Sequence, residues 1–84
     1  MFYLYILQSE STGRFYVGHT EDLENRLLEH NRGESKSTRN RGPWRPVYSE
    51  TFQNRADAQR REYEIKSKKS SESIKRIIRH QHKS

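Results

Sequence analysis

The sequence predicts a small mixed α/β domain, a three-stranded and mostly antiparallel sheet flanked by helices in the order β-β-α-β-α-α. Three observations carry that expectation. Aromatic and β-branched residues concentrate in 2–7, 15–17 and 47–52, as strands require. Leucines and isoleucines recur at helical spacing between and after those segments. A capping residue precedes each helical segment: Thr20, Asn54 and the pair Ser70-Ser71.

The first strand covers 2–8 and the second 15–19, joined by turn material from Ser9 to Arg14 with Gly13 near its end. Side chains alternate faces along a strand. The natural pairing puts Leu4, Ile6, Phe15 and Val17 in a core and leaves Tyr5 and Tyr16 together on the other, wetter face. Thr20 caps a first helix running to about His30 or Asn31, with Glu21 and Asp22 in its first turn and Gly33 as its stop. Leu23, Leu27 and Leu28 supply its buried stripe. Arg26 and His30 are four apart, hence on one face. From Arg32 to Pro46 no apolar periodicity appears, and a long basic loop is expected around the lone Trp44. The third strand covers 47–52. A second helix at about 55–68 aligns Ala58, Glu62 and Ile65, so that Glu62 is the polar member of an apolar stripe. A third, at about 72–79, carries Ile74, Ile77 and Ile78. A frayed tail follows, with its last residues at 81–84.

Composition narrows the function. Of 84 residues only 29% are hydrophobic and 33% are charged, so the core must be thin and stability modest. No apolar run approaches the roughly 20 residues of a membrane span. The start Met1-Phe2-Tyr3-Leu4-Tyr5 lacks the basic segment of a signal peptide. Without cysteine there is no disulfide framework, zinc knuckle or thiol nucleophile, and a cytoplasmic protein is expected. Seventeen Lys and Arg against eleven Asp and Glu give a net charge of +6, and eleven of the cations are Arg. Arginine offers a planar fork that matches phosphate, so the excess favours a polyanionic partner, nucleic acid first. Four scattered glycines make no phosphate loop, nothing supports a Ser or Thr nucleophile triad, and His80-x-His82 is a weak metal pattern.

Each remaining polar candidate has an ordinary explanation when taken alone. Strand tyrosines usually pack with a satisfied hydroxyl. Arg26 beside Glu29, and Glu62 beside Arg61 and Lys66, read as surface pairs. Their combination and order are more specific. Tyr3-Leu4-Tyr5-Ile6-Leu7, Phe15-Tyr16-Val17-Gly18, Leu23-x-x-Arg26-Leu27-x-x-His30-Asn31, the stretch Arg39 to Trp44, and Ala58-x-x-Arg61-Glu62 together resemble the GIY-YIG nuclease domain, above all its small standalone bacterial members. The resemblance covers about residues 2–80, which makes 1–80 one nuclease-like domain.

That resemblance implies a metal-dependent DNA endonuclease working in repair, recombination or processing. It implies catalytic roles for Tyr5, Tyr16, Arg26, His30 and Glu62, with Glu62 holding Mg²⁺ or Mn²⁺. Tyr3 and Leu4 stand where the family's first triplet has glycine and its middle residue, and His19 stands where many members have lysine. Tyr16 is favoured as general base and Tyr5 as its orienting partner; a free phenol titrates near 10, so only about 0.1% is phenolate at neutral pH and a neighbour must assist. His19, Asn31, Lys36, Arg39, Arg41 and Trp44 are the expected substrate contacts. Trp44 either stacks on an unpaired base or plugs the core between Pro43 and Pro46, and Asn31 either orients the site or ends its helix. Single-stranded or branched DNA is the expected partner, with RNA open, and the chain acts as a monomer or weak dimer. The competing expectation is an inactive nucleic-acid-binding module that needs a partner.

Overall fold

The computed structural model describes residues 1–34, 41–68 and 70–81, and at His80 and Gln81 the backbone only. Its elements follow the expected order: β1 (Phe2–Ser9), β2 (Phe15–Thr20), α1 (Leu23–Asn31), β3 (Trp44–Phe52), α2 (Arg55–Ser67) and α3 (Ser71–Gln81). The strands form one sheet in the order β2-β1-β3, antiparallel at both junctions. The most apolar strand, β1, therefore lies in the middle, where both of its faces are covered.

On one face Leu4, Ile6 and Val17 meet Ile65 of α2, and Ile74, Ile77 and Ile78 of α3 pack against them. On the other face Tyr5, Leu7 and Trp44 are buried beneath Leu23 and Leu27 of α1, with Tyr16 at the edge. The strand alternation is as expected, but the expected wetter face is a second core layer. Helix α1 covers it, and Tyr5 is only 1% exposed. Leu28, expected in the buried stripe, is half exposed, and His30 is the buried residue of α1.

The cap of α1 is Asp22 rather than Thr20. Thr20 still belongs to β2, paired with Tyr3, and its hydroxyl accepts the Asp22 N–H at 3.2 Å. The Asp22 carboxylate accepts the Asn25 N–H at 3.1 Å, two positions deeper than a Thr20 cap could reach. At the other end Gly33 adopts φ +77°, and the Gly33 and Glu34 amides bond back to the His30 and Glu29 carbonyls. This left-handed closing turn favours glycine.

Strand β3 starts three residues earlier than expected, taking Trp44, Arg45 and Pro46 out of the basic loop. Proline is tolerated because β3 is an edge strand, and the register slips there: Ile6 faces Tyr48 while Leu7 faces Pro46, so Val47 is an extra residue. Asn54 caps α2 by accepting the Asp57 N–H at 2.9 Å, as expected. Helix α3 continues through Gln81, one residue into the expected tail, whose other residues lie outside those described. Among the described residues no helix is long and apolar enough to cross a membrane.

Candidate active site

The site is built around the point where Tyr5 crosses Gly18. These residues are register partners on β1 and β2, and a Cβ on Gly18 would lie 2.6 Å from the Tyr5 hydroxyl oxygen. Glycine is therefore needed there to make room for the phenol. The Tyr5 hydroxyl meets His30 Nε2 at 2.9 Å, which ties β1 to the last turn of α1. Tyr16 completes an aromatic triangle, its ring 4.8 Å from that of His30 and 6.3 Å from that of Tyr5.

Arg26 sits one turn before His30 on α1, and its Nη1 donates to Glu29 Oε1 at 2.7 Å. About a third of its side chain stays exposed, so a ligand can still reach the guanidinium. Burial pushes the Tyr5 phenol up to about 12; the Arg26 guanidinium pulls the other way, and Tyr16 and Glu62 add to the rise. Burial and the Arg26 charge push the His30 imidazole down to about 4. Tyr5 and His30 are therefore both neutral at neutral pH, two partners sharing one proton position between them.

Glu62 approaches from α2 and meets β2 at His19. Its Oε1 lies 2.6 Å from His19 Nδ1 and its Oε2 accepts from Lys66 Nζ at 2.7 Å. Burial alone would raise the Glu62 carboxyl, but Lys66 and His19 outweigh it and hold it below the usual carboxylate range. The carboxylate is ionised and still 19% exposed. The same Lys66 ammonium lies 5.8 Å from the Tyr16 ring centroid and so connects the carboxylate to the tyrosines. Sequence reasoning gave Lys66 only the part of a solvated helix partner; its spacing of four from Glu62 was the available signal.

Other expected contacts fall elsewhere. Trp44 is only 5% exposed and packs with Tyr5 and Leu7, its ring 6.4 Å from Tyr16, so the core-plug alternative holds and base stacking does not. The Asn31 side chain is committed to the Trp44 backbone: its Oδ1 accepts the Trp44 N–H at 2.7 Å and its Nδ2 donates to the Trp44 carbonyl at 3.0 Å. It therefore supports the site from behind and is not positioned as a substrate contact. Arg41 is exposed beside the hairpin turn, where its carbonyl accepts from the Ser9 and Ser11 hydroxyls. Lys36 and Arg39 lie outside the described residues.

Among the described residues no three His, Cys, Asp or Glu side chains converge into a metal cage. What the site offers is one ionised carboxylate, a guanidinium and two phenols. A single hard oxygen ligand of this kind suits Mg²⁺, which binds through one or two carboxylates and keeps several waters.

The profile of the GIY-YIG catalytic domain family matches residues 1–80. A UPF0213 protein of Staphylococcus saprophyticus is 38% identical over 76 residues, covering 89% of this chain and 92% of that one. A UPF0213 protein of Clostridium perfringens is 48% identical over 67 residues, covering 79% of this chain and 71% of the relative. The solution NMR structure of a UPF0213 protein from Bacillus halodurans superposes with a TM-score of 0.58 at 36% identity, covering 93% of this chain and 83% of that one.

Proposed function

The chain belongs to the GIY-YIG catalytic-domain family, a family of nucleases, and from that premise we propose that it is a metal-dependent endonuclease hydrolysing phosphodiester bonds of intracellular DNA, in repair or processing. One observation carries this reading. Phenols from β1 and β2 stand with ring centroids 6.3 Å apart, the His30 that bonds Tyr5 lies one turn from the partly exposed Arg26 on α1, and Lys66 joins the Glu62 carboxylate of α2 to the Tyr16 ring. Those are the groups that phosphodiester hydrolysis requires: charge neutralisation at the phosphoryl oxygens, a proton acceptor for water, and help for the leaving oxygen.

Arg26 takes the non-bridging oxygens of the scissile phosphate through its planar fork. Tyr16, half-buried beside the exposed edge, accepts the proton of the attacking water. Burial raises the Tyr5 phenol further from phenolate, which favours Tyr16 as the base; bonded to His30, Tyr5 fixes the geometry around Tyr16. Lys66, beside the Tyr16 ring, is a cation that can offset the charge that develops there. Glu62 would hold Mg²⁺ or Mn²⁺, which supplies Lewis-acid stabilisation of the phosphoryl and leaving oxygens when bound. Lys66 is half exposed on a flexible stem, so its hold on Glu62 Oε2 can yield to a ligand.

The test is a cleavage assay on labelled single-stranded, duplex, nicked and flapped DNA with Mg²⁺, Mn²⁺ or EDTA, comparing the wild type with Glu62→Gln. Cutting that needs the metal and disappears in the variant is the expected result, with folding and DNA binding nearly intact. Normal cutting by Glu62→Gln would refute the metal assignment. Salt-sensitive binding without cleavage of any substrate would replace the enzyme with a binding module.

A further inference from the structure

Behind the tyrosines, the face of the sheet covered by α3 carries a feature that the reaction does not use. A cleft of about 540 Å³ opens between the hairpin, the start of β3 and α3. Its floor is apolar, from Phe15, Val47 and Ile78, and its rim is cationic, from Arg45, Lys75 and Arg79. A second cleft of about 390 Å³ adjoins it at Phe15 and lies beside Ile74, Ser71 and Ser70. Phe15 is a wall of both, and the second cleft reaches Tyr16 and Lys66 of the active site. Among the described residues no acidic side chain lines either cleft. The rim cations are only lightly engaged: Lys75 lies 3.8 Å from Glu72 and Arg45 donates to Gln8 at 3.4 Å.

We propose that these two adjoining clefts together bind a single-stranded DNA segment and lead it to the active site. The inference rests on the nuclease reading and adds a substrate class to it. An apolar floor with an aromatic wall suits unpaired bases, which stack on aromatic side chains whatever their sequence, and a cationic rim suits the backbone that runs beside them. From Ser71 to Arg79 the helix rises about 12 Å at 1.5 Å per residue, a length for a few nucleotides of one strand. Volumes of this size hold nucleotide-sized groups and not a duplex, whose bases are already stacked on each other.

The experiment uses the full chain carrying Glu62→Gln, so that substrates survive. Amide spectra are recorded while hexathymidylate or a blunt duplex is added, and affinities are measured for a blunt duplex and for the same duplex with a six-nucleotide single-stranded tail. Hexathymidylate is expected to shift Phe15, Val47 and the amides of 74–79. The tailed-to-blunt affinity ratio is expected to fall at least about tenfold in Lys75→Glu/Arg79→Glu. Arg60→Glu/Arg76→Glu, which reverses as many charges outside the groove, should leave that ratio unchanged. Hexathymidylate shifts confined to Tyr16 and Arg26, or a ratio that survives the Lys75/Arg79 reversal, would overturn the groove. A wild type that cuts no DNA while hexathymidylate still shifts the groove would overturn the nuclease reading and leave single-strand binding standing.

Discussion

A methyl group at position 18 would lie 2.6 Å from the Tyr5 hydroxyl oxygen and 2.8 Å from its ring carbon. The phenol is buried and bonded to His30, so it cannot swing away freely. Gly18→Ala should therefore cost about 1–3 kcal/mol, the usual range for overpacking, and should lower turnover with it by displacing Tyr5. Urea unfolding alongside the cleavage assay checks both; a variant of unchanged stability would mean the tyrosine has room the packing does not show. His30 makes a prediction of a different kind. Its folded pKa is about 4 against about 6.5 in an unfolded chain. Between those values the unfolded chain takes up a proton that the folded chain refuses, so stability falls as the pH drops through this window. From pH 7.5 to pH 5 the loss should be about 2 kcal/mol. His30→Gln keeps a hydrogen-bonding group toward Tyr5 but does not titrate, and its urea midpoint should lack that component. An equal fall in both proteins would assign the acid sensitivity elsewhere.

At the scale of elements, the helix that carries Arg26 and His30 is fixed at both ends, and the far end matters more for the site. Asn31 holds the first residue of β3 by two hydrogen bonds, at 2.7 and 3.0 Å, so α1 and Trp44 move as one. Asn31→Ala leaves the Trp44 N–H and carbonyl without these partners and should cost about 1–3 kcal/mol. Its thermal midpoint measures that cost, and a loss of activity larger than the loss of folded protein would show that the clamp positions Arg26 and His30. This clamp also marks the limit of what the sequence makes legible. Helices with local signals, such as the Asn54 cap of α2 and the isoleucine spacing of α3, are readable because their causes lie within one turn. The pairing of Tyr5 with Tyr16 followed from strand parity alone, and membership of one site followed from the resemblance. The start of β3 was not readable, because Pro43 and Pro46 suggest a loop; only the edge position and the extra residue at Val47 reconcile Pro46 with a strand. The cap of α1 moved to Asp22 because long-range pairing with Tyr3 kept Thr20 in β2. The wetter face became a core layer for the same reason: what covers a strand is decided by a distant helix.

Across the whole molecule the sheet divides a small apolar content into two layers, and one of them carries the candidate active site. Leu4, Ile6, Val17 and Ile65 form the layer under α2 and α3, whereas Tyr5, Leu7 and Trp44 form the layer under α1 that carries the candidate site. So thin a domain has few residues left for substrate affinity, and binding must lean on charge, of which the chain has +6 in 84 residues. Binding of this kind is driven by release of counterions from the phosphates, and its logarithm falls linearly with the logarithm of salt concentration, by about 0.9 per neutralised phosphate on duplex DNA. The affinity of the Glu62→Gln protein for a blunt duplex should therefore fall steeply between low and moderate salt. Arg41, exposed beside the hairpin with its carbonyl engaged by the Ser11 hydroxyl, is a candidate for one such contact. Arg41→Ala should weaken binding to every sequence alike and flatten the salt dependence by about one unit. A slope that stays the same while affinity drops would mean that the Arg41 side chain acts on something other than a phosphate, and an unchanged affinity would take this part of the surface out of the DNA path altogether.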